Sequence, residues 1–371
     1  MRIRLSRSSV GDEEKAALAR VIDRGYLGMG PEVEAFEQEL RSYIGFDREV
    51  VCVNTGTAAL HLALQCLDIG PGDEVLVPSI TYVASFQAVT ATGARPVACD
   101  VTEDKVFLDL KDAEQRVTER TRAVMPVHYA SDGSGIPEVY RFAARHRLRV
   151  IEDAAHAFGC RRDGQRIGAD GDVVCFSFDG IKNITSGEGG AVVTGDKKLA
   201  ERIRDARLLG VVKDTQKRYQ SQRSWQFNVL HPGYRYHMSD LMAAVGRTQL
   251  RKIDRFGESR QRIGKGYRSA LGTFPAIRLL NLEEGNIIPH IFVIRVLGGR
   301  RDKLCAHLSG AGIESGVHYR PNHQLDLFKA DYRLPRADKL GDELLSLPVH
   351  VELTEREQQR VIDTVRAFEV S

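Results

Sequence analysis

The chain lacks any apolar run long enough to cross a lipid bilayer. Its 371 residues are 42% hydrophobic and 28% charged, and its longest apolar stretches have the length of single strands. A membrane helix needs about 20 consecutive apolar residues. The first residues, Met1-Arg2-Ile3-Arg4-Leu5, also lack the apolar core of a secretory signal. We therefore expect a cytoplasmic globular protein without a membrane partner, long enough for two domains.

Cysteine pairs with C-x-x-C spacing are also absent. The cysteines are scattered, mostly within apolar segments: Cys52, Cys66, Cys99, Cys160, Cys175 and Cys305. This pattern predicts buried free thiols in a reducing compartment, without a disulfide framework or a metal site.

Neither sign of charge is in large excess. The formal net charge is +3, and the basic residues are spread along the chain. Nucleic-acid binding, which needs a clustered basic surface, gains no support, and we expect no nucleic-acid partner.

Short apolar runs alternate with amphipathic segments of helix length over the first two thirds of the chain. We predict strands at residues 49–54, 74–78, 95–101, 121–128, 149–153 and 172–178, and helices at 57–67, 82–92 and 137–147. Such alternation is typical of an α/β protein with a mostly parallel sheet covered by helices on both faces.

The pattern changes after about residue 252. Charged helices at 255–271 and 354–368 and a strand at 290–297 indicate a smaller α+β domain. We therefore predict a large domain over residues 1–250, including the N-terminal segment, and a small domain over 251–371. The polar stretch 213–225 is predicted to be a mobile loop.

The first candidate site is the turn Asn54-Thr55-Gly56-Thr57-Ala58-Ala59 between a strand and a helix. Ligands of open parallel sheets bind beyond the carboxyl ends of the strands. Backbone N–H groups at a helix N-terminus, with a glycine for close approach and a hydroxyl nearby, form a natural phosphate cradle. An ordinary strand-to-helix turn has the same composition, so both interpretations stay open.

The second candidate site is Asp153, which ends an apolar strand in the segment Ile151-Glu152-Asp153-Ala154-Ala155-His156. A buried carboxylate needs a cation or a hydrogen-bond donor. A protonated pyridine nitrogen, an arginine or a helix cap would each satisfy Asp153. If a helix starts here, His156 lies on the same side as Asp153, although a lone histidine is more often structural.

The third candidate site is Lys182, which follows the strand residue Ser177 by five positions and precedes a glycine-rich segment, Gly187-Glu188-Gly189-Gly190. An amine acts in covalent carbonyl chemistry when its environment lowers its pKa. A lysine at a strand end among glycines is therefore a candidate nucleophile.

Together these segments resemble the DegT/StrS-type sugar aminotransferases, which have fold type I of the aspartate aminotransferase superfamily and use pyridoxal 5′-phosphate. Order and spacing carry the resemblance over nearly the whole chain. The matching segments are residues 25–31, 54–58, 152–155, 177–183, 187–190, 232–240, 316–319 and 345–348. The resemblance implies a mostly parallel sheet of seven-stranded type, and amino transfer from L-glutamate to a keto sugar, most often one linked to a nucleotide.

The resemblance also implies a role for each candidate residue. Lys182 matches the lysine that holds the cofactor as an internal aldimine and later moves the substrate proton. Asp153 matches the partner of the pyridine nitrogen, which it keeps protonated so that the ring accepts electrons. Tyr82 matches an aromatic ring stacked on the cofactor, and His156, often glutamine in relatives, matches a contact to the phenolic oxygen. The implied phosphate positions are Gly56, Thr57, Ala58 and Ser177, and the implied substrate positions are Tyr26, Glu188, His318 and Tyr319.

The chain departs from the family pattern at two places. Relatives often have His-Pro-x before the lysine, where this chain has Asp179-Gly180-Ile181. Many relatives also carry asparagine at the position of Arg235, and that asparagine reaches the cofactor phosphate of the neighbouring subunit. The resemblance thus implies a homodimer with shared active sites, in which Arg235 holds either that phosphate or a substrate carboxylate.

Three other functions compete with amino transfer. The related sugar dehydratases have histidine in place of the lysine, so Lys182 argues against them. A nucleotide-binding oxidoreductase would need G-x-G-x-x-G spacing, which residues 54–59 lack. A non-catalytic cofactor-binding regulator would be expected to lose Lys182 or Asp153. The sequence does not rank the sugar, its keto position or its carrier.

Overall fold

The computed structural model describes residues 2–45, 47–223, 225–283 and 285–368. Its strands are β1 Glu49–Val53, β2 Glu74–Pro78, β3 Arg95–Cys99, β4 Thr121–Val124, β5 Arg149–Asp153, β6 Arg161–Arg162, β7 Gln165–Arg166, β8 Val173–Ser177, β9 Gly190–Thr194, β10 Ile277–Leu279, β11 Phe292–Val296 and β12 Leu344–Leu347. Its helices are α1 Asp12–Asp23, α2 Pro31–Ile44, α3 Gly56–Cys66, α4 Val83–Ala91, α5 Leu110–Arg116, α6 Ile136–His146, α7 Lys197–Ala206, α8 Asp214–Tyr219, α9 Asp240–Leu250, α10 Ile253–Leu271, α11 Arg301–Gly310, α12 Pro335–Glu343 and α13 Glu355–Arg366.

The central sheet has seven strands in the order β1-β9-β8-β5-β4-β2-β3. Strand β9 runs antiparallel to both of its neighbours, and the remaining pairs are parallel. Most strand residues are buried because helices cover both faces of the sheet. The predicted α/β fold with a mostly parallel seven-stranded sheet is therefore confirmed.

The turn between β1 and α3 lies tightly against the ends of β8 and β9. A Cβ atom on Gly56 would approach the Ser177 Cβ to 2.8 Å, and one on Gly190 would collide with the Thr55 carbonyl oxygen. The Thr55 hydroxyl caps α3 by accepting a 3.0 Å hydrogen bond from the Ala58 N–H. Glycine is therefore required where this helix N-terminus meets the sheet.

Strand β4 ends earlier than the sequence pattern predicts. The expected strand reached residue 128, whereas regular pairing stops at Val124. Pro126 has no N–H to donate to a neighbouring strand. Beyond it, the chain continues as an isolated parallel bridge between Val127 and Asp153. This extension places residues 127–131 beside the end of β5.

A second sheet, β10-β11-β12, is antiparallel and packs with α10, α11 and α13. The chain start reaches this region, because Ile3 pairs with Ile313 and joins the same apolar cluster. Helix α12 instead contributes Ala337 and Leu340 to the core of the central sheet. The division of the chain at residue 250 stays a prediction.

The prediction of a loop over residues 213–225 is wrong for its first half, where helix α8 forms, while Ser224 lies outside the described residues. Tyr219 is 6% exposed and donates a hydrogen bond to Glu37. The fully buried Arg207 pairs with the same Glu37 and binds the carbonyl oxygen of Cys52. The local polarity of the segment gave no sign of these distant partners.

The cysteines are free thiols, and all except the partly exposed Cys305 are buried, as predicted. Among the described residues, no helix combines the length and apolarity needed to cross a membrane. The same part of the chain contains no group of three or more His, Cys, Asp or Glu side chains arranged to hold a metal ion.

Candidate active site

A cavity of about 460 Å³ opens at the carboxyl ends of β1, β5 and β8. Its position agrees with the rule for open parallel sheets, and its volume lies within the range of small-molecule sites. Ten of the predicted site residues line it: Gly56, Thr57, Tyr82, Asp153, His156, Ser177, Lys182, Glu188, His318 and Tyr319.

Lys182 lies in the cavity wall at the end of a tight turn. Its backbone N–H donates to the Asp179 carbonyl oxygen at 3.1 Å. The next residue, Asn183, anchors the turn by donating to the carbonyl oxygens of Phe158 and Ile288. Burial lowers the pKa of Lys182 to about 8, against the opposing charges of Asp153 and Asp179. A larger fraction of the amine is therefore uncharged near neutral pH than for an exposed lysine.

Asp153 ends β5 and is 5% exposed. One carboxylate oxygen accepts a 2.7 Å hydrogen bond from the Ser85 hydroxyl, and the other accepts one of 3.2 Å from the Ala155 N–H. No cationic side chain forms an ion pair with Asp153 among the described residues, and Arg162 pairs instead with the adjacent Glu152. Asp153 thus presents a buried anionic group to a ligand.

The N-terminus of α3 forms a cradle at one end of the cavity. Gly56 and Thr57 face the cavity together with Ser177, whose side chain lies against Gly56. Ala58 lies behind them, buried, with its N–H turned to the Thr55 hydroxyl. Free N–H groups and hydroxyls at a helix N-terminus suit a phosphate.

Three histidines surround the lysine. His156 shares a 3.0 Å hydrogen bond with the Tyr319 hydroxyl, and His290 Nε2 lies 3.3 Å from Lys182 Nζ. Burial, and then the charge of Lys182, lowers the pKa of His318 to about 4 and the pKa values of His156 and His290 well below 6.5. These imidazoles are therefore neutral at pH 7.

The cavity also carries two carboxylates and an aromatic pair. Burial and the nearby Asp179 raise the pKa of Glu188. The Tyr82 side chain is 58% exposed, and its ring centroid lies 5.5 Å from that of Tyr319. The site thus combines hydrogen-bond acceptors with flat apolar surfaces.

Three predicted site residues do not line this cavity: Ala58, which is buried behind the cradle, Tyr26 and Arg235. Tyr26 precedes α2, and Arg235 is an exposed residue that lines a separate pocket with Asp214 and Arg218. No helix begins at His156, and a turn after β5 brings it to the cavity instead. No pattern in the sequence pointed to Ser85 or His290 as site residues, although His290 is the first residue of a predicted strand.

The cavity fits pyridoxal phosphate. Asp153 suits a protonated ring nitrogen, the start of α3 suits the phosphate, and Lys182 is the nucleophile. The buried Nδ1 atoms of His156 and His290 have no hydrogen-bond partner among the described residues. Bound there, the cofactor would supply an electrophilic carbon to Lys182 and an electron-withdrawing ring.

The fold and the site define a fold type I pyridoxal-phosphate-dependent transferase. The DegT/DnrJ/EryC1/StrS aminotransferase family matches the chain over residues 8–366. The chain belongs to this family and is a pyridoxal-phosphate-dependent sugar aminotransferase.

Solved structures agree over nearly the full length. DesV from S. venezuelae, solved with a ketimine intermediate, is 40% identical with a TM-score of 0.88, over 97% of this chain and 95% of that one. The aminotransferase TlmJ from Streptoalloteichus hindustanus is 31% identical with a TM-score of 0.92, over 99% and 98%. Spr1654 from Streptococcus pneumoniae, solved in its PLP form, is 28% identical with a TM-score of 0.91, over 99% and 98%.

Proposed function

We propose that this enzyme transfers the amino group of L-glutamate to a 4-keto or 3-keto deoxysugar linked to a nucleotide, releasing 2-oxoglutarate and an amino sugar. The observation that carries the proposal is the cavity that Lys182, with its lowered pKa, shares with Asp153. This buried aspartate has no cationic partner among the described residues. The product would enter surface polysaccharide, such as lipopolysaccharide, or a secondary metabolite, and the reaction would take place in the cytoplasm.

Lys182 and Asp153 are the proposed catalytic residues. Asp153 keeps the ring nitrogen protonated, and the Ser85 hydroxyl fixes the orientation of its carboxylate. Lys182 removes the proton from the glutamate Cα and later returns a proton to the sugar carbon, a task that suits an amine with a pKa near the working pH.

The remaining lining residues bind and orient. Tyr82 covers the cofactor ring, and His156 with its partner Tyr319 contacts the phenolic oxygen. The phosphate is held by the start of α3 and by Ser177. The proposed cofactor contacts on this chain are Gly56, Thr57, Tyr82, Asp153, His156, Ser177 and Lys182, whereas Ala58, expected among them, lies behind the cradle.

Sugar binding is supported by the chemistry of the cavity mouth. The Glu188 carboxylate accepts hydrogen bonds from hydroxyl groups, and the Tyr82 and Tyr319 rings offer flat surfaces to a sugar face. We assign Glu188, His318 and Tyr319 to the substrate, together with Tyr26 supplied from outside this cavity.

We propose a homodimer in which each subunit completes the other's site. Lys182 is the one cationic side chain among the described residues that line the cavity, whereas the cofactor phosphate and a nucleotide diphosphate are both anions. A second subunit would supply the missing positive charge, and the exposed Arg235 is the candidate.

The test is a panel of 3-keto and 4-keto nucleotide sugars, incubated with the holoenzyme and L-glutamate. Mass spectrometry reports replacement of the carbonyl oxygen by an amine, and equal release of 2-oxoglutarate confirms the donor. Free keto sugars and the Lys182→Ala variant are the matched controls. Loss of water from the sugar without nitrogen gain would identify a dehydratase and contradict the proposal.

A further inference from the structure

We infer that His290 is a positioning residue for the catalytic amine: its neutral imidazole accepts a hydrogen bond from Lys182 and keeps Nζ aligned when it is not bound to the cofactor. The inference rests on the proposed catalytic role of Lys182 and adds a residue to it. The contact joins Lys182 Nζ to His290 Nε2 over 3.3 Å.

His290 is held rigidly. It is 5% exposed, and its backbone N–H donates to the Ser131 hydroxyl at 3.1 Å. The same hydroxyl donates to the His156 carbonyl oxygen at 2.6 Å. The Arg260 guanidinium donates to the carbonyl oxygens of Pro289 and His290. Ser131 thus joins the backbones of His156 and His290. The ring centroids of these two histidines lie 4.6 Å apart.

The backbone around Ser131 is strained. Ala130 and Ser131 have φ values of +49° and +75°, in the left-handed region that non-glycine residues rarely occupy. Such conformations persist where the surrounding structure imposes them, often at functional sites. Here the strained pair places the Ser131 hydroxyl between His156 and His290.

The direction of the hydrogen bond follows from the protonation states of Lys182 and His290. When Lys182 is charged, its ammonium has only hydrogens to donate, so the neutral His290 accepts at Nε2 and its own proton lies on Nδ1. That Nδ1 has no partner among the described residues. An acceptor stabilises the charged form of Lys182 more than the uncharged form. His290 therefore limits how far burial lowers the pKa of the amine, and it also fixes the direction of Nζ.

Several titratable groups face the Lys182 amine, and a titration of Lys182 must separate the effect of His290 from that of the others. They are Asp153 on β5, Asp179 after β8, His156 after β5, His290 before β11 and His318 before β12. Only His290 lies within hydrogen-bonding distance of Nζ among the described contacts. A substitution at this position therefore isolates one contact.

The experiment compares His290→Gln with His290→Asn. The glutamine amide occupies the place of Nε2 and still accepts from Nζ, whereas the asparagine amide stops near the place of Nδ1. His350→Asn is the matched control, because His350 is 4% exposed and does not line the cavity. Circular dichroism and thermal unfolding confirm that each variant folds.

The readout is the titration of Lys182 in the apoprotein. Pyridoxal phosphate is added at a series of pH values, borohydride traps the covalent product, and the labelled Lys182 peptide is quantified. Formaldehyde with cyanoborohydride, which carries no phosphate, serves as a second probe that does not depend on the cofactor cradle. Neither probe requires the sugar substrate, so this test can fail while the proposed function stands.

We expect a midpoint near 8 for the wild-type protein. It should fall by about one pH unit in His290→Asn, a tenfold change in the equilibrium. His290→Gln and His350→Asn should retain the wild-type midpoint. In the holoenzyme, His290→Asn should lower kcat about tenfold or more with KM nearly unchanged, since alignment is lost and binding is not.

An unchanged or raised midpoint in folded His290→Asn overturns the inference, because it shows that His290 either makes no contact or acts as a donor. Should His290→Asn not fold, Ser131→Ala replaces it and is expected to lower the midpoint by a smaller amount. An unchanged midpoint in Ser131→Ala would then count against the inference.

Discussion

The Ser85 hydroxyl donates a 2.7 Å hydrogen bond to the Asp153 carboxylate, which joins the first turn of α4 to the end of β5. Ser85 is fully buried, and its oxygen also lies 2.9 Å from the Thr81 hydroxyl. The aspartate is thus oriented by one hydroxyl, and among the described residues it has no cationic side-chain partner, so its carboxylate is available to a bound cofactor.

Asp153→Asn should leave the cofactor bound and lower kcat about 100-fold or more, because an amide does not stabilise a pyridinium by charge. Ser85→Ala should lower kcat about tenfold, since the carboxylate keeps its charge and loses an orienting contact. Steady-state kinetics and cofactor absorbance provide the measurements. Asp163→Asn is the control, because it makes the same substitution at an exposed aspartate. Unaltered kcat in Asp153→Asn would show that Asp153 does not lie beside the ring nitrogen.

Lys182→Ala should abolish turnover and covalent cofactor attachment while the fold is retained, because no other amine lines the described cavity. The measurement is 2-oxoglutarate release together with the mass of the borohydride-reduced protein. Lys265→Ala, which removes an exposed amine on α10, should behave as wild type. Wild-type turnover in Lys182→Ala would refute the mechanism.

Lys182→Met should stabilise the apoprotein at pH 7 by at most about 3 kcal/mol. The folded pKa of about 8 lies below the unfolded value of 10.5. At every pH where this amine is charged in the unfolded wild type, folding therefore costs free energy, because the folded protein disfavours the charged amine. The difference in free energy of unfolding between Lys182→Met and the wild type is constant below pH 8, shrinks between pH 8 and 10.5, and disappears above pH 10.5.

Urea unfolding at pH 7, 9 and about 10.5 tests this dependence. The control is Lys265→Met, because an exposed amine carries no such penalty and its variant should show no trend with pH. Equal stability of Lys182→Met and wild type at pH 7 would mean that the folded protein does not disfavour the charged amine.

If Arg235 serves the partner's site and Arg235→Ala is inactive alone, mixing inactive Lys182→Ala subunits with Arg235→Ala subunits should restore activity. Each mixed dimer then holds one site with both residues intact, and about half the activity of a wild-type dimer. Arg223→Ala is the control, since Arg223 is exposed in the same part of the chain. Absence of recovery, under conditions where subunits demonstrably exchange, would place Arg235 outside the shared site.

Arg207→Leu should lower the free energy of unfolding by about 3 to 5 kcal/mol, because it leaves the buried Glu37 carboxylate without its cation. Tyr219→Phe should cost about 1 to 2 kcal/mol, the loss of one hydrogen bond to that carboxylate. Arg202→Leu removes a pair with the exposed Asp68 and should cost about 1 kcal/mol or less. Urea denaturation measures all three, and similar losses for Arg207→Leu and Arg202→Leu would contradict this ranking.

Sequence patterns alone predict most of the central sheet and the core of the site. Apolar runs of strand length report burial on both faces, and the carboxyl ends of parallel strands share one edge of a sheet. Asp153 at the end of β5 and the lysine that follows the neighbouring β8 are therefore close together. A motif that directly follows a strand can be placed from the sequence, because local chain geometry alone sets its distance from the edge of the sheet.

The tertiary structure, and not any local pattern, brings distant side chains into the site. Ser85 reaches Asp153 from a different helix, His290 reaches Lys182 across 108 residues of chain, and Arg207 finds Glu37 across 170. It also decided that the charged segment after residue 213 forms a helix and that Arg235 lies away from its own chain's cavity. Local periodicity records whether a residue is buried, whereas a hydrogen-bond partner depends on how separate elements pack, which no local pattern specifies.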